Sequence, residues 1–155
     1  MSKMTVVVGV DGSPGGHAAL EFAVEEAVLR HSRVRVIAAV QLPEYGFTAL
    51  TNLVVPPPPD HLVEEVRKAA QHEVDQVLAA RADTADGLPV SVEARIGRPG
   101  EVLCDAVDSA DLLVVGHRGR GSVASGLLGS VGLHCLLHAC SPVAVVRSGP
   151  TTAPD

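Results

Sequence analysis

The chain has 155 residues and a mass of 16.0 kDa, a size most economically read as one domain able to bury a substantial core. Its formal net charge is -6 with a pI near 5.6, and 46% of its residues are hydrophobic but only 2% aromatic; this excludes a basic nucleic-acid binder and a base-stacking surface, and requires an aliphatic core. Met1-Ser2-Lys3-Met4 leads into a short apolar run, and no stretch approaches the ~20 apolar residues of a membrane span, so a soluble cytoplasmic protein without a membrane partner is expected.

The first apolar run, Val6-Val7-Val8-Gly9-Val10, is too short for a helix and reads as a buried strand. It ends at Asp11-Gly12-Ser13-Pro14, where Ser13 followed by proline opens a helix, because proline at the first helical position loses no needed donor. Ala19, Phe22, Ala23 and Ala27 then recur at helical spacing through about Leu29. Asp11 is thereby placed at the C-terminal end of a strand, where open α/β sheets bind ligands; a turn or capping carboxylate is the structural alternative.

Val34 to Val40 is the second strand. The segment from Gln41 to Asp60 carries Tyr45, Phe47 and four prolines at 56–59, a length that inside a compact domain marks a functional or mobile loop. A hydrophobic lid on the domain's own edge is the favoured reading over a flap across a bound base. From Leu62 to Ala82, Val63, Val66, Ala70, Val74, Val77 and Leu78 keep helical period and predict a packing helix. Val90, Val92 and Ala94 alternate within a strand from Leu88 to Ile96, and Gly97-Arg98-Pro99-Gly100 turns it into a helix through Asp108.

Leu112 to Val115 is the fourth strand, and the chain leaves it at Gly116. The loop that follows, Gly116-His117-Arg118-Gly119-Arg120-Gly121-Ser122, continues to Gly129-Ser130. Its glycines let main-chain N–H groups approach a ligand closely, and Arg118 and Arg120 set local positive charge against the acidic whole. Ser130 is expected to N-cap a helix carrying Leu133, Leu136 and Leu137, whose free N–H groups and positive dipole end suit a phosphate. Val143-Ala144-Val145-Val146, preceded by Pro142, closes the chain as a fifth strand.

Known phosphate-loop patterns discriminate further. A Walker A loop needs a lysine opening its helix, and no lysine follows Lys68. Gly119-Arg120-Gly121-Ser122-Val123-Ala124 matches G-x-G-x-x-A, but that fingerprint belongs in the first strand-helix turn with an acid about 20 residues on; here the offset falls in the last strand. Enzyme readings find little equipment. No G-x-S-x-G elbow surrounds Ser122, Ser125 or Ser130 near His117. His134, Cys135 and His138 lack a third strong ligand and are assigned to packing or surface roles rather than metal. Cys104, Cys135 and Cys140 are an odd set without framework spacing, expected as reduced thiols. No catalytic residue is assigned.

Five strands alternating with four helices imply a single doubly wound α/β domain, a five-stranded parallel sheet with helices on both faces. Residues 1–148 are expected to form that domain and 149–155 a short flexible tail.

The spacing Gly116-x2-Gly119-x9-Gly129-Ser130 resembles the ATP-binding signature of the universal stress protein family. Val10-Asp11-Gly12-Ser13, Val40, Gly97-x-Pro99 and His138-Ala139 ahead of the last strand extend the resemblance over nearly the whole chain. It implies strand order 3-2-1-4-5 with the switch point between strands one and four. It also implies that Asp11 and Val40 contact adenosine, Gly116 lies beside the ribose, and Gly119, Gly129, Ser130 and Val131 hold phosphates, with Arg118 adding charge. The ligand implied is ATP with magnesium, the role a regulatory stress-response module, and the assembly a homodimer through strand Val143–Val146. A nucleotide-free dimeric interaction protein and a weak ATP hydrolase are the alternatives. Gly132 and Ser141 depart from the family, where a small hydroxyl residue and a cysteine are often found.

Overall fold

A computed structural model describes residues 3–41, 59–109, 111–119 and 127–149. Among the described residues nine elements alternate: β1 (Thr5–Gly9), α1 (Pro14–Leu29), β2 (Arg33–Val40), α2 (Asp60–Ala80), β3 (Val90–Ile96), α3 (Pro99–Ala106), β4 (Leu112–Gly116), α4 (Ser130–His138) and β5 (Val143–Val146). The strands form one sheet in the order β3-β2-β1-β4-β5, and every neighbouring pair is parallel. Val7 of β1 stands between Arg35 of β2 and Leu113 of β4, so β1 is the central strand.

Alternation along the strands divides the core between two layers. Val6, Val8, Val34, Val36 and Val114 face α1 and α2, whose Leu20, Val24, Val74 and Val77 complete the larger cluster. Val7, Ile37, Leu113 and Val115 face the opposite way, against Val102, Leu103 and Ala106 of α3 and Cys135 of α4. Because both faces of the central strands are covered, they read as continuous valine runs rather than as alternating polar and apolar positions. Arg81, just past α2, ties that helix to α1 through Glu21 and Glu25, each 2.8 Å away.

Local chemistry explains the boundaries. The Ser13 hydroxyl accepts the Gly16 N–H at 3.1 Å and Pro14 opens α1, as the sequence implies. Helix α3 stops at Ala106, two residues earlier than expected. Val107 is already extended, and the Asp108 N–H is taken by the Asp111 carboxylate at 3.0 Å, so that side chain replaces a helical acceptor. The expectation for Ser130 is corrected more directly: Gly129 is the N-cap, Ser130 is the first helical residue, and no side chain caps α4. Gly129 instead donates its N–H to the His117 carbonyl at 2.8 Å. This backbone bond does the positioning that a serine cap would otherwise supply. The expected 41–60 loop, with Tyr45 and Phe47, falls almost entirely outside the described residues, as do Arg120, Ser122 and Ser125.

Candidate functional site

The C-terminal ends of β1, β2 and β4 converge on one rim of the sheet, with Asp11 following the central strand. The Val10 N–H still bonds the Ile37 carbonyl at 3.0 Å and the Gly97 N–H bonds that of Val40 at 3.1 Å, so ladder bonds hold the strand ends up to the rim. Val40 is buried at the end of β2. The order in which strands are added to the sheet reverses between β1 and β4, and such a switch point leaves a crevice that crossover helices do not fill.

Asp11 is anchored from below. Its Oδ1 accepts the Ser13 N–H at 3.0 Å and the Ser13 hydroxyl, so Ser13 serves the carboxylate and the helix cap together. The structure thus gives Asp11 the turn role weighed as its structural alternative, while leaving it at the exposed rim. Gly12, at φ 78, makes the turn between them; a side chain there would be strained.

The loop after β4 lies directly on this turn. A Cβ on Gly116 would stand 2.6 Å from the Gly15 carbonyl oxygen, one on Gly15 would strike the Arg118 carbonyl, and one on Gly119 would stand 2.7 Å from Asp11 Oδ2. The contact is therefore backbone against backbone, closed at its far end by a carboxylate. The His117 N–H continues the sheet by bonding the Val146 carbonyl at 2.7 Å, and the His117 carbonyl holds Gly129. Residues 116–119 are thus pinned to β5 on one side and to the start of α4 on the other. That places the first-turn N–H groups of Ser130, Val131 and Gly132, which no helical carbonyl can reach, at the end of the loop.

Of the site residues expected from sequence, Asp11, Gly116, Arg118, Gly119 and Gly129 lie along one continuous line of contacts, Ser130 and Val131 open the adjoining helix, and Val40 stands at the neighbouring strand end. Gly15 and Gly16 were not singled out by sequence reasoning. Their signal was present: two glycines in the first turn of a helix are unfavourable for helix formation and so mark a close approach.

Among the described residues, no group of three or more His, Cys, Asp or Glu side chains is disposed to hold a metal ion, and no helix is long and apolar enough to cross a membrane. The Cys104 and Cys135 thiols belong to the core layer under α3 and α4. Burial, followed by the neighbouring Cys104, pushes the Cys135 thiol up to about 12, and burial also raises Cys104. On the edge strand β3, burial works to raise Glu93, but hydrogen bonds from Arg35 and Arg95 hold it below the usual carboxylate range.

Comparison with known proteins gives a consistent placement. A universal stress protein of Mycobacterium tuberculosis (strain ATCC 25618 / H37Rv) is 30% identical over 161 residues, covering 98% of this chain and 50% of the relative; the chain spans about half the length of the mycobacterial relatives it matches. Universal stress protein UspA from Lactobacillus plantarum superposes with a TM-score of 0.73 at 23% identity, over 95% of this chain and 99% of that one. The universal stress protein from Archaeoglobus fulgidus in complex with dAMP does so with a TM-score of 0.58 at 23% identity, over 94% and 99%. The family model for the universal stress protein family matches residues 4–147, which is the whole sheet with every crossover helix, and the chain belongs to that family.

Proposed function

We propose that this chain is an adenine-nucleotide-binding regulatory module, with ATP accompanied by magnesium as its ligand and binding rather than turnover as its activity. The observation that carries the reading is the docking of the β4 loop onto the β1 turn at the switch point, with Gly119 against Asp11 and Gly129 tied to His117. In this assignment Asp11 and Val40 serve the adenosine part and Gly116 the ribose. Gly119, Gly129, Ser130 and Val131 offer main-chain N–H groups and a hydroxyl to the phosphates, with Arg118 supplying charge. The dAMP complex of the Archaeoglobus fulgidus relative supports an adenine nucleotide as the class of ligand. Magnesium would be carried by the phosphates rather than by a protein cage. The absence of any lysine after Lys68 disfavours phosphoryl transfer. The proposal includes a homodimer through β5, a short outer strand with one free edge.

Thermal unfolding with magnesium and ATP, ADP or AMP tests the reading. At 100 times the dissociation constant, binding to the folded chain alone adds about 2.7 kcal/mol, or roughly 5–10 °C in melting temperature for a domain of this size. No shift with any of them, and no adenine nucleotide released from the purified protein on denaturation, would leave the nucleotide-free interaction protein as the function.

A further inference from the structure

The seam between α3 and α4 gathers all three cysteines of the chain. The two helices approach tightly at Gly100, where an added Cβ would lie 2.7 Å from Cδ2 of His134. Cys104 stands one turn farther along the same face of α3, and Cys135 follows His134 on α4. Both belong to the apolar layer beneath these helices, Cys135 fully buried and Cys104 half-buried at its border. Their thiols hydrogen-bond to one another. Cys140, exposed just past α4, lies at the outside of the seam and donates its S–H to the Val107 carbonyl at 3.2 Å.

A buried cysteine packs as a small hydrophobe, so packing alone does not require two thiols from different helices to face each other; their chemistry gives that arrangement a use. Sulfurs already in hydrogen-bond contact have only to close to the roughly 2.05 Å of an S–S bond. Access is graded as well. Cys104 is the member of the pair that a small oxidant reaches from the seam, and Cys135 waits behind it in the core.

We propose that Cys104 and Cys135 are a peroxide-responsive thiol pair, which oxidation converts into an intramolecular disulfide joining α3 to α4. The Cys104 thiolate attacks one oxygen of hydrogen peroxide; the S–O bond forms, the O–O bond breaks, and the departing hydroxide takes up a proton to become water. The Cys135 thiol then gives up its proton and its sulfur attacks that of Cys104. The S–S bond forms, the S–O bond breaks, and a second hydroxide leaves as water. Two thiols are oxidised and one peroxide is reduced to two waters. Burial keeps both thiols protonated at neutral pH, so the pair stays reduced against traces of peroxide and responds to sustained exposure. Helix α3 begins just after Gly97, which is bonded to Val40, and α4 just after Gly129, which is bonded to His117. The disulfide therefore fixes the spacing of two helices that both start on the rim, whether or not a nucleotide binds there.

The test uses the full chain carrying Cys140→Ser, which leaves Cys104 and Cys135 as its thiols, exposed to excess hydrogen peroxide after complete reduction. Its intact mass is expected to fall by two hydrogen atoms and its free thiols to disappear. Tryptic digestion should yield the Cys104 peptide joined to the Cys135 peptide, and dithiothreitol should reverse both changes. Cys104→Ser/Cys140→Ser, altered at a half-buried position, should form no cross-link within the chain; circular dichroism of the reduced variants verifies that they are folded. Thiols that gain oxygen atoms without joining, or that stay unmodified in the folded Cys140→Ser chain, overturn the proposal. So does a wild-type disulfide that involves Cys140 and vanishes in Cys140→Ser, or a cross-link that forms only in urea.

Discussion

A Cβ on Gly119 would lie 2.7 Å from Oδ2 of Asp11, so the loop after β4 touches the carboxylate after β1 across the switch point. Asp11 is held there by Ser13, and Gly119 can come this close because it has no side chain. Gly119→Asp would add both bulk and a second negative charge at that contact. It should abolish the nucleotide-dependent rise in melting temperature, while the nucleotide-free protein, altered only at the rim, loses about 1 kcal/mol or less. Differential scanning calorimetry with and without magnesium and ATP separates the two effects; an unchanged shift in the variant would remove Gly119 from the site.

The two serines at helix starts should respond differently. Ser13 caps α1 and also bonds Asp11, so Ser13→Ala is expected to destabilise by about 1 kcal/mol. Ser130 caps nothing, so Ser130→Ala should cost only a few tenths of a kcal/mol, its effect appearing in nucleotide affinity instead. Urea unfolding of both variants, paired with nucleotide titration, tests the contrast. A full cap-sized loss at Ser130 would contradict the assignment of Gly129 as the N-cap.

Gly100 sets the spacing of α3 and α4: a Cβ there would be 2.7 Å from Cδ2 and 2.9 Å from Cβ of His134. Gly100→Val should therefore destabilise by about 1–3 kcal/mol through overpacking. Adding His134→Ala should restore part of that loss, because the two residues share one space; a double-mutant cycle with no coupling would show that the helices simply move apart.

The buried Cys135 thiol predicts a loss of stability in alkali. Its folded value is pushed up to about 12 from 9.0, so between those limits the unfolded chain releases a proton that the folded chain keeps. Stability from this group is complete below pH 9 and falls as pH rises toward 12, by at most about 1.4 kcal/mol per pH unit. Cys104, raised in the same direction by burial, adds to the slope. Chemical denaturation at pH 8 and pH 10 should show Cys135→Ala with a shallower decline than the wild type. Equal slopes would mean that Cys135 ionises in the folded protein as freely as in the unfolded one.

The strands and most helices were legible in the sequence because each carries its own local signal. The runs of β1, β2 and β4 are rich in valine, those of β1 and β4 are short and end at glycine, and β5 was read to its observed bounds. Five such strands with helical connections admit little besides a parallel doubly wound sheet, because right-handed crossovers remove the alternatives. The order 3-2-1-4-5 came instead from family resemblance, since register and neighbour choice depend on packing between distant segments. The spacing of Gly116, Gly119 and Gly129 likewise pointed to one loop, although nothing local in it says what it touches.

The folded chain decided the rest, through contacts that no single residue's propensity announces. Ser130 looked like a cap because serine favours that position, but the His117 carbonyl takes the Gly129 N–H and shifts the helix start by one residue. Helix α3 ended early because Asp111 bonds the Asp108 N–H. Leu133, Leu136 and Leu137 have the spacing of a buried stripe, yet α4 sits over the edge of the sheet, where β5 has no further strand to extend the core beneath them. Sequence by itself determined which segments are strands and helices and where the glycines fall, since propensity and period are local. Only the folded chain decided which glycine meets Asp11 and which apolar face remains uncovered, because both follow from where the sheet ends and how its two halves meet.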